Sequence, residues 1–155
     1  MDKFKARLVA KGFKQKTDLD FFDTFSPVTR ITSIRLLIAI AAIFDLKIHQ
    51  MDVKIAFLNG DLEEEIYILE GFVEPGQESK VCKLTKSLYG LKQAPKQWHE
   101  KFDSCMIGNG YKSNECDKCI YSKSWNNLHV IISLYVDDML SFGSNMHVIN
   151  EKKYA

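Results

Sequence analysis

Near its C-terminal end the chain carries an apolar run, Leu128 to Phe142, that is broken only once by charge, at the adjacent carboxylates Asp137 and Asp138. Burying two acids among Val, Ile and Leu carries a large desolvation penalty unless donors or a cation offset it. The run therefore reads as strand, turn, strand: Leu128 to Val136, then Met139 to Phe142, with the acids at the tip. An exposed Asp-Asp turn with no further role would satisfy the same pattern, because Asp favours turns.

A third acid, Asp52, lies near the end of the segment Leu46 to Val53, where Leu46, Ile48, Gln50 and Asp52 alternate onto one side of a predicted strand. Two strands that end in carboxylates can lie side by side. Three acids brought together repel one another unless a cation joins them, and Mg²⁺ favours hard oxygen ligands completed by phosphate. That donor set suits two-metal phosphoryl transfer. A solvent-facing Asp52 with no such role is the plainer alternative.

The rest of the chain frames these groups as mixed α+β. Lys5 to Val9 alternates like a half-exposed strand, and a loop with Ser26-Pro27 follows. Thr32 or Ser33 can cap a helix running to about Asp45, apolar around most of its circumference and expected to be well buried. Asn59-Gly60 marks a turn, the acidic 61–65 stretch leads into a strand at Ile66 to Ile68, and another strand lies near Val81 to Leu84. A second helix starts at Ala94-Pro95, puts Trp98, Phe102, Cys105 and Met106 on one apolar face, and stops at Gly108 and Gly110. A strand at Ile120 to Lys123 and a turn at Trp125 to Asn127 complete a C-terminal meander.

Bulk properties bound the reading. With 155 residues, 46% hydrophobic, the chain suits one ordinary domain with an apolar core. Its formal charge of +1 hides two basic stretches, Met1 to Lys16 and Lys80 to Lys101, each with an excess of five positive charges. Either stretch could meet phosphate or be a solvated face. Four cysteines and no signal-like segment point to a reducing, intracellular setting, and the longest apolar stretch, Leu36 to Phe44, is too short to span a bilayer. Cys116-Asp-Lys-Cys119 has zinc-like spacing but lacks a second ligand pair. Neither a nucleophile elbow nor a Walker loop is present.

Five strings occur in order: Lys5-Ala-Arg-Leu-Val-Ala-Lys-Gly-Phe13, Thr24-Phe-Ser-Pro-Val28, His49-Gln-Met-Asp-Val-Lys-Ile-Ala-Phe-Leu-Asn-Gly-Asp-Leu62, Ser87-Leu-Tyr-Gly-Leu-Lys-Gln-Ala-Pro95 and Leu134-Tyr-Val-Asp-Asp138. In content and spacing, over residues 3 to about 150, the chain resembles the reverse transcriptase of copia-type (Ty1/copia) retrotransposon Pol polyproteins. The resemblance implies a right-hand polymerase palm with part of the fingers, an antiparallel palm sheet packed on helices, and no thumb. It makes 1–155 one incomplete domain, with about 1–30 and 61–90 fingers-like and about 31–60 and 91–155 palm-like.

The resemblance also assigns roles. It makes Asp52, Asp137 and Asp138 catalytic, with two Mg²⁺ ions (or Mn²⁺) held by Asp52, Asp137 and the Val53 carbonyl and with Asp138 close to the primer end. Phe57 takes the place of the steric gate that disfavours ribose, although a ring at that position is ordinarily core packing. Tyr89 and Gly90 would lie against the incoming nucleotide, Lys5 and Arg7 against its triphosphate, and Tyr135 and Val136 beside primer and template. The implied partners are an RNA template, a DNA primer, deoxynucleoside triphosphates and the remaining Pol segments, thumb and RNase H, with no membrane. The implied location is a cytoplasmic virus-like particle, with the nucleus as an alternative.

One departure stands out: Ile68-Leu69 takes the place of four family residues between Tyr67 and Glu70. The expected function is RNA-directed DNA polymerisation, with the isolated fragment inactive. A non-catalytic relic that folds and weakly binds nucleic acid is the main alternative, and a small metal-dependent nuclease a third.

Overall fold

Helix α1 (Ile31–Ile43) shows how this chain orders itself around a distant residue. The structure, a computed structural model, describes residues 7–62, 67–68, 75–76, 82–126 and 128–151. The N-cap of α1 is Arg30, not Thr32 or Ser33, and its side chain makes no capping bond. The carboxylate of Asp117, far along the sequence, accepts instead from the Arg30 N–H and from the Thr29 hydroxyl, both at 3.1 Å. One of the unsatisfied backbone donors at the start of this helix, Arg30 N–H, is thus taken up from another loop rather than by a local side-chain cap.

The far end of α1 closes on Asp45, whose φ of +50° is a left-handed conformation. Leu46 N–H donates to the Ala41 carbonyl at 2.9 Å, the six-to-one bond of a Schellman stop. Despite its apolar circumference, α1 is not buried all round: Leu37 and Ala41 are buried, while Ile31, Leu36, Ile38 and Ile43 are exposed. A single stripe packs against Ile120 and Phe142, with Leu46, Ile131 and Leu140 around them.

Those partners belong to an antiparallel five-stranded sheet of order β1-β7-β6-β5-β4. Its strands are β1 (Lys47–Asp52), β4 (Lys112–Ser113), β5 (Ile120–Trp125), β6 (Leu128–Tyr135) and β7 (Asp138–Gly143). The register pairs Ile131 with Phe142 and Ser133 with both Ile120 and Leu140, so these residues share the face that receives α1. Tyr121, one position out of phase and fully buried, lies on the other face. There its ring meets Phe102 edge-on at 5.5 Å and its hydroxyl donates to Asp103 at 3.0 Å.

Helix α3 (Ala94–Gly108) supplies Phe102, Met106 and Trp98 as buried positions, as the spacing predicts, whereas Cys105 is exposed. The helix stops where Gly110, at φ +78°, lets Tyr111 N–H reach back to the Met106 carbonyl at 3.0 Å. Two short helices, α2 (Ala56–Asn59) and α4 (Met146–Glu151), are not legible as helices in the sequence. α4 seats the buried Ile149 over Gly143, where a Cβ would come within 2.9 Å of the Ile149 side chain.

The chain's contacts fall into two compact units, residues 1–26 with 57–101, and 27–56 with 102–155. The sheet and α1 belong to the second. In the first, Leu88, Leu91 and Ala94 form a core with Ala10, Phe57, Leu58, Leu62 and Leu84 packed on it. This unit also carries the two-stranded ladder of β2 (Tyr67–Ile68) and β3 (Cys82–Lys83). Of the departure Ile68-Leu69, Ile68 lies in β2, while Leu69 lies outside the described residues, as do Lys5 and Ala6 of the first predicted strand. Of that strand, Val9 makes a single parallel bridge to Tyr89.

Candidate active site

The two acidic strand ends meet in the second unit. β1 and β7 are antiparallel, and their register sets Asp52 opposite Asp138; in the neighbouring ladder Asp138 is opposite Tyr135. Directly opposed residues put their side chains on one face. Tyr135, Asp138 and Asp52 thus form a row across three strands, at the sheet end where β6 turns into β7. Asp52 is exposed, and Asp137 and Asp138 are half-buried. The carboxylates therefore keep access to solvent and to ligands.

The turn between β6 and β7 consists of Val136 and Asp137 alone. Val136 has a φ of +59°, whereas Asp137 is not in the positive range. Positive φ at the first of two central residues is the type II′ pattern, whose favoured occupant is glycine. A β-branched residue there is strained, by about 1–2 kcal/mol relative to a right-handed conformation. The turn is tied down from β1's side, where Val53 N–H donates to the Asp137 carbonyl at 2.8 Å. The Gln50 amide donates to Asp138 Oδ1 at 3.2 Å. Gln50 was legible as sharing Asp52's side of the strand, but not as the partner of Asp138, because that contact depends on the ladder.

Among the described residues none of these three acids is ion-paired with Lys or Arg. Nor do the described residues contain a group of three or more His, Cys, Asp or Glu gathered to hold a metal ion. What the geometry offers is two opposed carboxylates, Asp137 next to one of them, and hard oxygen donors only. That chemistry fits a divalent cation of the magnesium kind.

Tyr135 and Val136 are 48% and 37% exposed, so the hairpin tip offers an apolar and aromatic surface next to the acids.

The first unit gathers a different set. The rings of Phe57 and Tyr89 pack with centroids 4.8 Å apart, tilted by 59°. The Arg7 guanidinium lies over the Tyr89 ring, 5.8 Å from its centroid. Phe57 is half-buried against the unit's core, as is Tyr89, whereas Arg7 is exposed. Three of the residues singled out in the sequence for nucleotide contact, far apart along the chain, are therefore neighbours. Gly90 adjoins them at φ +93°, and a Cβ there would lie 2.2 Å from the Ala10 carbonyl oxygen. Only glycine tolerates both that conformation and that approach. Lys5 lies outside the described residues.

Residues 1–155 match the family described as "Reverse transcriptase (RNA-dependent DNA polymerase)". The chain belongs to the reverse transcriptase family. It is 53% identical over 154 residues to the retrovirus-related Pol polyprotein from transposon TNT 1-94 of Nicotiana tabacum, a match that covers 97% of this chain and 12% of that protein. It is 38% identical over 147 residues to the corresponding polyprotein from transposon RE1 of Arabidopsis thaliana, covering 94% of this chain and 10% of the other. The RE2 polyprotein of the same plant is 37% identical over 147 residues. This reverse transcriptase chain thus spans about a tenth of the length of the curated relatives it matches. Copia-type membership, expected from the five strings, is consistent with these transposon relatives. No solved structure matches the chain.

Cys116 and Cys119 differ in setting. Cys119 is buried and Cys116 exposed, and burial, with the Asp117 and Asp103 charges, pushes the Cys119 thiol up to about 11. Among the described residues no helix is long and apolar enough to cross a membrane.

Proposed function

We propose that this chain is the catalytic portion of an RNA-directed DNA polymerase, transferring deoxynucleotidyl groups to a primer 3′-hydroxyl under the direction of an RNA or DNA template. The observation that carries the reading is the register of β1 against β7, which sets Asp52 opposite Asp138 beside the Val136–Asp137 turn. In this reading about 31–60 and 91–155 are palm-like, and about 1–30 and 61–90 fingers-like.

Asp52, Asp137 and the Val53 carbonyl would hold magnesium, with Asp138 on the primer side. When bound, magnesium supplies Lewis-acid polarisation of the 3′-hydroxyl and charge neutralisation at the departing pyrophosphate. The chain's own contributions are positional. Val53 N–H fixes the Asp137 backbone, and the Gln50 amide fixes the orientation of the Asp138 carboxylate. Tyr135 and Val136 present a surface for the end of the primer and its template. In the other unit, Arg7 supplies a planar cation matched to phosphate. Phe57 and Tyr89 supply rings for the base and sugar, with Phe57 opposing a 2′-hydroxyl. The proposed partners are an RNA template, a DNA primer, deoxynucleoside triphosphates and the other Pol segments, in a cytoplasmic particle or the nucleus.

Primer extension on a homopolymer template, with Mg²⁺ or Mn²⁺, tests the proposal. Extension by this chain joined to the remaining Pol segments, abolished by Asp52→Asn and by Asp137→Asn, is the expected result, with none from the isolated chain. Extension that survives either substitution removes the metal-site assignment. Shortened rather than lengthened strands would point to a nuclease.

A further inference from the structure

In the first unit, the loop bearing Tyr89 and Gly90 is tied to the segment 10–20 by more than backbone contact. Ala10 N–H donates to the Tyr89 carbonyl at 2.6 Å. Gly12 sits so close to Gly90 that a Cβ on it would lie 1.8 Å from the Gly90 carbonyl oxygen. Beside this crossing runs a chain of side-chain amides. The Lys92 backbone N–H donates to Gln15 Oε1 at 2.9 Å, Gln15 Nε2 donates to Gln93 Oε1 at 3.0 Å, and Gln93 Nε2 donates to the Asp20 carbonyl at 3.3 Å.

Gln93 is 1% exposed. A buried amide is expensive unless its donor and acceptor sides are both used, and here both are. Lys92 reinforces the same junction through its Nζ, which donates to the Gln15 carbonyl at 3.0 Å and lies 4.8 Å from the centroid of the buried Phe21 ring. Glutamine suits this task because one planar group donates and accepts at once, so two of them in series join three backbone segments. No apolar side chain of the same volume could replace that bridge.

We infer that Gln15 and Gln93 are positioning residues for the nucleotide contact surface, holding Tyr89 and Gly90 at the place where Tyr89 meets Phe57 and Arg7. The inference rests on the nucleotide-binding role proposed above for those three residues. Without the amide bridge the Tyr89 loop still has its backbone bond to Ala10, but it gains alternative positions. The bound conformation then makes up a smaller fraction of the population, and apparent affinity falls by that fraction.

The test uses the full chain with Gln15→Ala, Gln93→Ala and the double substitution. Two readouts are taken at a temperature where circular dichroism shows each protein folded. Titration calorimetry with deoxythymidine triphosphate and Mg²⁺ gives affinity. Nuclear Overhauser contacts between the Phe57 and Tyr89 rings give position. Each single substitution is expected to weaken binding by about tenfold, equivalent to one or two lost hydrogen bonds, with the double no worse than the singles. The ring contacts should weaken in parallel.

Unchanged affinity and unchanged ring contacts in folded Gln15→Ala would overturn the inference, and Gln15, less buried than Gln93, carries the test if Gln93→Ala does not fold. Lower stability with unchanged affinity would show a structural role only and would overturn it too. A wild-type chain that binds no triphosphate would remove the nucleotide reading itself. Ring contacts that still weaken in the variants would then mark the pair as structural only.

Discussion

Loss of Asp117 should destabilise the second unit strongly without touching the proposed chemistry. Its carboxylate accepts from the Thr29 hydroxyl at 3.1 Å, the Arg30 N–H at 3.1 Å and the Cys119 N–H at 3.2 Å, and Thr29 is tied on to Ser133 at 3.3 Å. Asp117 is 9% exposed, and Thr29 and Cys119 are 2% and 1% exposed, so Asp117→Ala leaves two donors that water cannot easily reach. Each bond to a charged acceptor is worth roughly 1.5–3 kcal/mol net, while the desolvation cost of the carboxylate returns part of the sum, so a loss of about 3–4 kcal/mol is expected. Asp117→Asn keeps one acceptor oxygen and should lose about 1–2 kcal/mol.

The pH dependence has a definite sign. Burial alone would raise the Asp117 carboxyl, but the bonds from the Arg30 backbone, the Ser33 side chain, the Cys119 backbone and the Thr29 side chain outweigh it and hold it below the usual carboxylate range. Its stabilisation is therefore complete above the unfolded carboxylate range, and is lost as pH falls through the lowered folded value. Urea unfolding followed by far-ultraviolet circular dichroism, from neutral pH down into the acid range, measures both effects. A midpoint for Asp117→Ala within about 0.5 kcal/mol of wild type would refute the reasoning, because ordinary surface substitutions fall inside that band. So would a wild type and an Asp117→Asn variant that lose stability in parallel on acidification.

Val136→Gly should relieve the left-handed strain at the hairpin tip; after the entropy that glycine adds to the unfolded chain, a gain of up to about 1 kcal/mol is expected in urea unfolding, and a loss would contradict the turn assignment. Gly12→Ala has no space for its Cβ against the Gly90 backbone and should lower the stability of the first unit by about 3 kcal/mol or more, read from its unfolding midpoint. In a Cys82→Ser background, a thiol reagent at pH 8 should label Cys105 and Cys116 quickly and Cys119 slowly until urea is added, since burial and a thiol pushed up to about 11 leave little thiolate. Rapid labelling of three thiols in the folded chain would contradict that burial.

Strand periodicity was enough to place Ile48, Gln50 and Asp52 on one side of β1 and to set Asp137 in a turn between two strands, because a two-residue period is imposed by backbone geometry. The spacing of Trp98, Phe102 and Met106 likewise marked the buried side of α3. Opposition of Asp52 to Asp138 is a property of strand pairing, and the five strings pointed to it only through the resemblance they carry. The start of α1 and its partial burial are not legible in the sequence, because Asp117 reaches the helix through space and one stripe suffices to pack it. The bridging role of Gln15 and Gln93 is not legible in the sequence, although Gln93 lies in one of the five strings: a buried amide is recognisable only once both of its partners are known. Cys105 falls at a helical spacing shared with buried residues yet faces outward, since its position sits at the margin of the apolar stripe.

The row formed by Tyr135, Asp138 and Asp52 has a consequence for how this sheet can vary. Adding or deleting one residue inside β1 would turn the acid at its end to the opposite side of the sheet, however well the strand still paired. Lengthening β1 by two residues keeps the acid on its face but moves it two positions along the ladder, away from Asp138. A change of chain length inside β1 or β7 therefore acts on the carboxylates directly, by parity and by register.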